Sequence, residues 1–200
     1  MLRLESGPPV REMRPDRLLP SKTARRESLG AMCLLIHFNN KGEEEIVLVT
    51  VPDEDWKIQK SERLASGGTM NAIVKGTQSV FGGKIEVNED AVIAIHREAK
   101  EELGLTLRDG RLQEIYARPF QVFQQVDGNC DRNGLHQFSV VGFRYYLSDQ
   151  EFKQLNAYLV QHGRELQVFS RQEVQRLPGS LFIRPSTLGL IAISGFADFV

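Results

Sequence analysis

The stretch "GGKIEVNEDAVIAIHREAKEELGL", Gly82 to Leu105, limits what this chain can fold into more than any other segment. Its second half reads as a helix. Asn88 is placed to act as the N-cap, and Asp90 puts negative charge in the first turn, where the helix dipole favours it. Val92, Ile95, Ala99 and Leu103 recur at helical spacing as a buried stripe. Gly104 closes the helix as its C-cap. A helix advances about 100° per residue, so Glu98, Glu101 and Glu102 share an arc of about 100°. That arc is centred roughly 130° from the apolar stripe, which places the acids outside the core but together.

Such crowding has a cost. Like charges at these spacings destabilise an open helix by roughly 0.2–0.5 kcal/mol per pair. Two charges about 4 Å apart repel by about 4 kcal/mol at an effective dielectric near 20. Arg97, four residues before Glu101, offsets part of this. A divalent cation would offset the rest, and hard carboxylate oxygens select Mg²⁺ or Mn²⁺ over softer metals. An isolated acidic run is more often a solvated helix face, so the spacing around it decides.

That spacing resembles the Nudix box, G-x5-E-x7-R-E-U-x-E-E-x-G-U, where U is bulky or aliphatic. Gly83, Glu89, Arg97, Glu98, Glu101, Glu102, Gly104 and Leu105 stand at its fixed positions, and Ala99 takes the first U. Seven fixed identities at ordinary residue frequencies match by chance on the order of 10⁻⁸ times per starting position. The strand order around the box extends the resemblance to residues 30–200. The family often carries Trp or Leu and then Pro before its double glycine; this chain has Ser79-Val80-Phe81 instead.

The resemblance implies an α/β (α+β) fold, an α/β/α sandwich with a mixed sheet between helices. It also implies hydrolysis of a pyrophosphate bond in a nucleoside diphosphate linked to another moiety, with Mg²⁺ as cofactor and Mn²⁺ as its substitute. Glu98 and Glu102 would be the principal metal ligands, Glu101 a third, and the Gly82 carbonyl a backbone ligand. Gly83, Glu89 and Arg97 would support the site, Arg97 by pairing with Glu101 or Glu89. The proton-accepting base would be Glu101 on the helix, or a later acid among Asp149, Glu151 and Glu165. With Glu98 a member of the catalytic set, Glu165 is favoured among the later acids. His96 falls on the buried side of the helix and is read as packing.

The box specifies the reaction rather than the substrate. Pro119 lies 14 residues beyond Leu105, close to where family members acting on ADP-ribose have a proline, so ADP-ribose or another nucleotide sugar comes first. Arg118, Phe120 and Phe123 are the expected substrate-binding residues, with Trp56 a further aromatic able to stack on a base. Two other readings stay open. One is a nucleoside triphosphate pyrophosphohydrolase that cleans the nucleotide pool. The other is a non-catalytic nucleotide sensor on the same fold, which would be expected to have lost box carboxylates.

The rest of the chain fits one domain, residues 30–200, preceded by an extended arm, 1–29, rich in proline and charge. Of its 200 residues, 41% are hydrophobic, enough for a real core. A net charge of -1 gives no electrostatic argument for nucleic acid. No apolar run reaches bilayer length, and the first residues lack the apolar segment of a secretory signal. Cys33 and Cys130 form no spaced ligand set, and a cytoplasmic location is the simplest expectation. Strands are predicted at 30–38, 45–51, 79–81, 112–123, 136–147 and 165–170. Besides the box helix, helices are predicted at 148–162, 171–177 and 185–199. Residues 52–78 form a loop long enough to cover a substrate. The arm could instead exchange with a second subunit in a homodimer.

Overall fold

The computed structural model describes residues 27–50, 60–64, 71–72, 78–115, 120–126, 135–177 and 183–196. Trp56, Arg118, Pro119 and Cys130 lie outside them, as does most of the arm. The long strand β1 (Glu27–Phe38) turns through Asn39, whose side-chain oxygen accepts from the Lys41 and Glu43 amides, into β2 (Glu44–Thr50). Short strands β3 (Lys60–Leu64), β4 (Asn71–Ala72), β5 (Gln78–Ser79) and β6 (Phe81–Lys84) follow. Then come α1 (Ala91–Leu103), a 3-10 turn at Asp109–Arg111, β7 (Leu112–Glu114), β8 (Phe120–Val126) and β9 (Leu135–Tyr146). The chain closes with α2 (Asp149–Gln161), β10 (Leu166–Ser170), α3 (Arg171–Val174) and α4 (Pro185–Ile193).

The strands make one mixed sheet in the order β10-β2-β1-β9-β8-β3-β4; β5 pairs with β2, β6 with β1 and β7 with β9. Among the described residues β1 and β9 form the parallel pair, Glu27 opposite Gln137 through Ile36 opposite Tyr146. The length of β1 lets it serve two partners on one side. Gly30–Cys33 pair with β6 and Leu35–Phe38 with β2. The box therefore enters at the middle of the sheet rather than at a free edge.

Side chains alternate across a strand, and both faces of β1 and β2 are covered. Ala31, Cys33, Leu35, Val47 and Val49 pack on one face with Ala94, Ile95, Ala99 and Leu103 of α1 and Leu155 and Leu159 of α2. Leu34, Ile36, Ile46 and Leu48 pack on the other with Val174, Leu190 and Ile191. This is the expected sandwich, helices on both sides of a mixed sheet. Double coverage explains why "AMCLLI" reads as an unbroken apolar run rather than an alternating one. No helix among the described residues is long and apolar enough to cross a membrane.

Several local expectations need correction. The N-cap of α1 is Asp90, not Asn88: its carboxylate accepts from the Ile93 amide at 2.8 Å. Asn88 instead takes a left-handed turn position, φ 67°. Val92 is exposed and Ala94 takes its place in the buried stripe. The strand expected over 112–123 divides into β7 and β8. The closing helix stops at Ile193, capped at Ser194, because Gly195 adopts φ 70°.

Candidate active site

The site is built where α1 crosses β6. Gly82 has φ 143°, and a Cβ on it would run into the Ala31 carbonyl of the neighbouring strand. A Cβ on Gly83 would collide with the Glu98 carboxyl group. The double glycine thus lets a carboxylate and a strand occupy the same volume. Family proline is absent before it, but the backbone is held another way: Thr187 Oγ1, from α4, accepts from the Val80 amide at 3.2 Å and lies 3.2 Å from Ser79 Oγ.

The three helix acids take different environments. Glu98 is only 9% exposed, so it lies beneath the glycines rather than on an open face as its helical angle suggested. Burial pushes its pKa up, partly countered by Arg97. Glu101 is exposed. Glu102 is half-buried; desolvation and then the Glu98 charge push its pKa up to about 7, against the pull of Arg164, the Gly82 amide and Arg184.

Arg97 organises the surroundings. Its Nε and Nη2 donate to the two oxygens of Glu89 at 3.0 Å each, and Nη2 also donates to the Lys84 carbonyl at 2.9 Å. Its Nη1 donates to Glu98 at 2.6 Å and Glu101 at 3.2 Å. Glu89 in turn accepts from the Glu86 amide at 2.9 Å, which closes the turn before α1. The expected pairing of Arg97 with Glu101 or Glu89 is met by both at once.

Other sequence-derived candidates fall elsewhere or outside description. His96 is not fully packed; its Nε2 lies 2.9 Å from Asp109 Oδ1, an electrostatic contact off the hydrogen-bonding direction. Glu151 closes a capping box with Ser148 and accepts from Tyr145 and Arg111, both at 2.8 Å. Asp149 contacts His37 at 3.1 Å. Those two acids are occupied structurally. Glu165 is exposed, and its backbone is tied to Thr50. Phe120 and Phe123 lie in β8, opposite Val140 and Gln137. Sequence patterns gave no hint of Arg164 and Arg184 beside Glu102, since both come from distant segments.

Among the described residues no three His, Cys, Asp or Glu side chains close into a ready cage. Arg97 draws Glu98 and Glu101 to one nitrogen, while Glu102 stands apart from them near the Gly82 amide. The donor set nevertheless fits a hard divalent cation. Glu98 and Glu102 are desolvated carboxylates whose mutual repulsion Arg97, Arg164 and Arg184 offset only in part, beside a glycine backbone stripped of side chains.

The sequence matches the NUDIX domain family over residues 33–187. The chain belongs to the Nudix family. Enzymes of this family are pyrophosphohydrolases of small nucleotide substrates that generally use divalent metal ions, and this chain is a pyrophosphohydrolase of that kind, with every box carboxylate in place. A Deinococcus radiodurans protein is 10% identical with a TM-score of 0.50, covering 84% of this chain and 83% of its own, and shows the shared fold. A mutT/nudix family protein from Listeria innocua is 20% identical, TM-score 0.49, covering 84% of this chain and 90% of that one. The NUDIX domain of Shewanella oneidensis NrtR, complexed with ADP ribose, is 13% identical, TM-score 0.46, covering 91% and 97%. Comparison with curated proteins gives no match.

Proposed function

We propose that this chain is a Mg²⁺-dependent hydrolase, with Mn²⁺ able to substitute, of a nucleoside diphosphate linked to another moiety, ADP-ribose or another nucleotide sugar. The observation that carries this is the placement of Glu102. Its carboxylate is desolvated, raised to about pKa 7, close to buried Glu98 and near the Gly82 amide. A group so placed favours either a proton or a cation. Glu98, Glu102, Glu101 and the Gly82 carbonyl would hold the ion, with Arg97 and Glu89 fixing the helix against the loop. When bound, the ion supplies charge neutralisation to the diphosphate oxygens and lowers the pKa of water.

The chain's own residues would then do the rest. Glu101, exposed and singly bonded to Arg97, or Glu165, exposed in the turn after Arg164, would accept the water's proton. Arg118, Phe120 and Phe123 would contact the nucleoside, and Pro119 is the reason ADP-ribose stands first. The domain of this enzyme would be residues 30–200, with Glu27–Leu29 of the 1–29 arm joined to it as the start of β1 and the rest of the arm available for a second subunit. Buried, unpaired Cys33 suits a cytoplasmic setting.

The test is a hydrolysis screen with Mg²⁺ across nucleotide sugars, dinucleoside polyphosphates and nucleoside triphosphates, with product analysis. AMP plus a sugar phosphate supports the proposal. NMP plus pyrophosphate from triphosphates alone replaces it with the nucleotide-pool reading. Tight nucleotide binding with no product from any substrate replaces it with a sensor. Glu102→Gln should abolish metal-dependent turnover while the protein stays folded.

A further inference from the structure

The last turn of α1 carries Glu102 and ends in carbonyls that no helix bond satisfies. One neighbouring segment supplies three side chains to them. Gln154 Nε2 donates to the Gly104 carbonyl at 3.1 Å, the Tyr158 hydroxyl to the Glu101 carbonyl at 3.2 Å, and Arg164 Nη1 to the Glu102 carbonyl at 2.8 Å. Gln154 and Tyr158 belong to α2, and Arg164 to the turn behind it. Arg164 is the charged member, and cations are favoured at a helix C-terminus.

Arg164 also makes a second bond that the other two lack. Its Nε donates to the Thr50 carbonyl, at the end of β2, at 2.9 Å. Thr50 Oγ1 in turn accepts from Gln78 Nε2 at 3.2 Å, and Gln78 pairs with Thr50 in the sheet. From Gln78 the chain runs directly through Val80 and Phe81 to Gly82, whose amide lies against the Glu102 carboxylate. Both ends of Glu102 therefore face one frame. Its carboxylate lies against Gly82, and its carbonyl is bonded to Arg164, which also holds Thr50.

We propose that Arg164 is a positioning residue for the active site: by holding the Glu102 and Thr50 carbonyls on one guanidinium, it sets where the Glu102 side chain stands against Gly82. This rests on Glu102 being a metal ligand. The two acceptors lie on different elements, so the planar fork of arginine is required, and a lysine ammonium reproduces it only in part.

The experiment is a Mn²⁺ titration of the full chain without nucleotide, read by the paramagnetic resonance of free Mn²⁺, alongside thermal melts and steady-state kinetics. Arg164→Met should weaken Mn²⁺ binding about tenfold, the scale at which groups orienting a ligand act. Arg164→Lys should fall between. In both, kcat should drop while the KM for nucleotide is unchanged. Tyr158→Phe, which removes a donor from the same helix end, should lower the melting temperature without moving Mn²⁺ affinity. Wild-type Mn²⁺ affinity in Arg164→Met, at whatever melting temperature, overturns the inference and leaves Arg164 as a helix cap. If Arg164→Met does not fold, Arg164→Lys decides by the same criterion. Undiminished Mn²⁺ binding in Glu102→Gln would instead overturn the ligand assignment beneath it, a result separate from either Arg164 variant.

Discussion

Arg97 and Glu89 meet through two parallel hydrogen bonds, Nε to Oε1 and Nη2 to Oε2, each 3.0 Å long. The same guanidinium reaches the Lys84 carbonyl, Glu98 and Glu101. It thereby joins β6, the turn before α1 and the acidic face into one unit. Arg97→Lys keeps the charge but can make only part of this set. It should melt a few degrees lower than wild type and lose most of its turnover, measured by calorimetry and product release. Unchanged melting and turnover would show that the fork is dispensable.

Gly83 should not tolerate a methyl group. The Cβ of Gly83→Ala would occupy the position of the Glu98 carboxyl, which could move aside only by giving up its bond from Arg97 and its buried place. Overpacking of this kind destabilises by about 1–3 kcal/mol. Denaturant unfolding should show that loss, and metal-dependent hydrolysis should fall further than stability does, because Glu98 is the group displaced.

Glu102 makes the metal-free protein sensitive to pH. Its folded pKa, about 7, is above the ordinary 4.5. A carboxylic acid with a raised folded pKa favours the folded state at pH below 4.5 and loses that contribution as pH rises through 7. Well above pH 7 the buried charge should cost about 3 kcal/mol relative to a neutral isostere. In EDTA, Glu102→Gln should therefore be more stable than wild type at pH 8, with the gap closing as pH falls toward 4.5. Equal melting temperatures at pH 8 would contradict the burial of that charge.

Glu151 behaves in the opposite sense. Burial raises its pKa, but bonds from Ser148, Tyr145 and the Arg111 charge outweigh burial and leave it lowered. The stability it contributes is present above its ordinary value of 4.5 and disappears as pH falls through its lower folded value. Glu151→Ala breaks the capping box and leaves Tyr145 and Arg111 without their acceptor. A loss of about 2 kcal/mol is expected, with kcat of the folded fraction unchanged. A collapse of kcat in folded protein would return Glu151 to the list of bases.

Much of the site could be read from the sequence because its spacing is local. Glu98, Glu101, Glu102, Arg97 and Gly104 all lie within a single helix and its cap, where residue separation fixes direction. The N-cap is not legible in the sequence because both Asn88 and Asp90 have suitable side chains, and only the backbone turn at Asn88 separates them. The burial of Glu98 is not legible either, because helical angle says nothing about what covers a face; β6 covers this one through its glycines. Arg164 and Thr187 left no trace at all. Each acts on a residue that is distant in sequence, Arg164 on Glu102 and Thr187 on Val80, and their local surroundings read as an ordinary turn and an apolar helix. The sheet was legible as strands, but not as pairings: nothing in the "LQEIYARPFQVF" run marks where β7 leaves β9 and β8 takes over.

The parallel union of β1 and β9 joins residues about 110 positions apart, Glu27 with Gln137 and Ile36 with Tyr146. Chain closure over such a span is slow, and short-range helices form long before it. During refolding, helical circular dichroism should return early, whereas catalysis must wait for β1 to dock and present Ala31 and Met32 to the glycine pair. Recovery of enzyme activity is therefore a clock for the last long-range step of assembly, not for the helix that carries the acids.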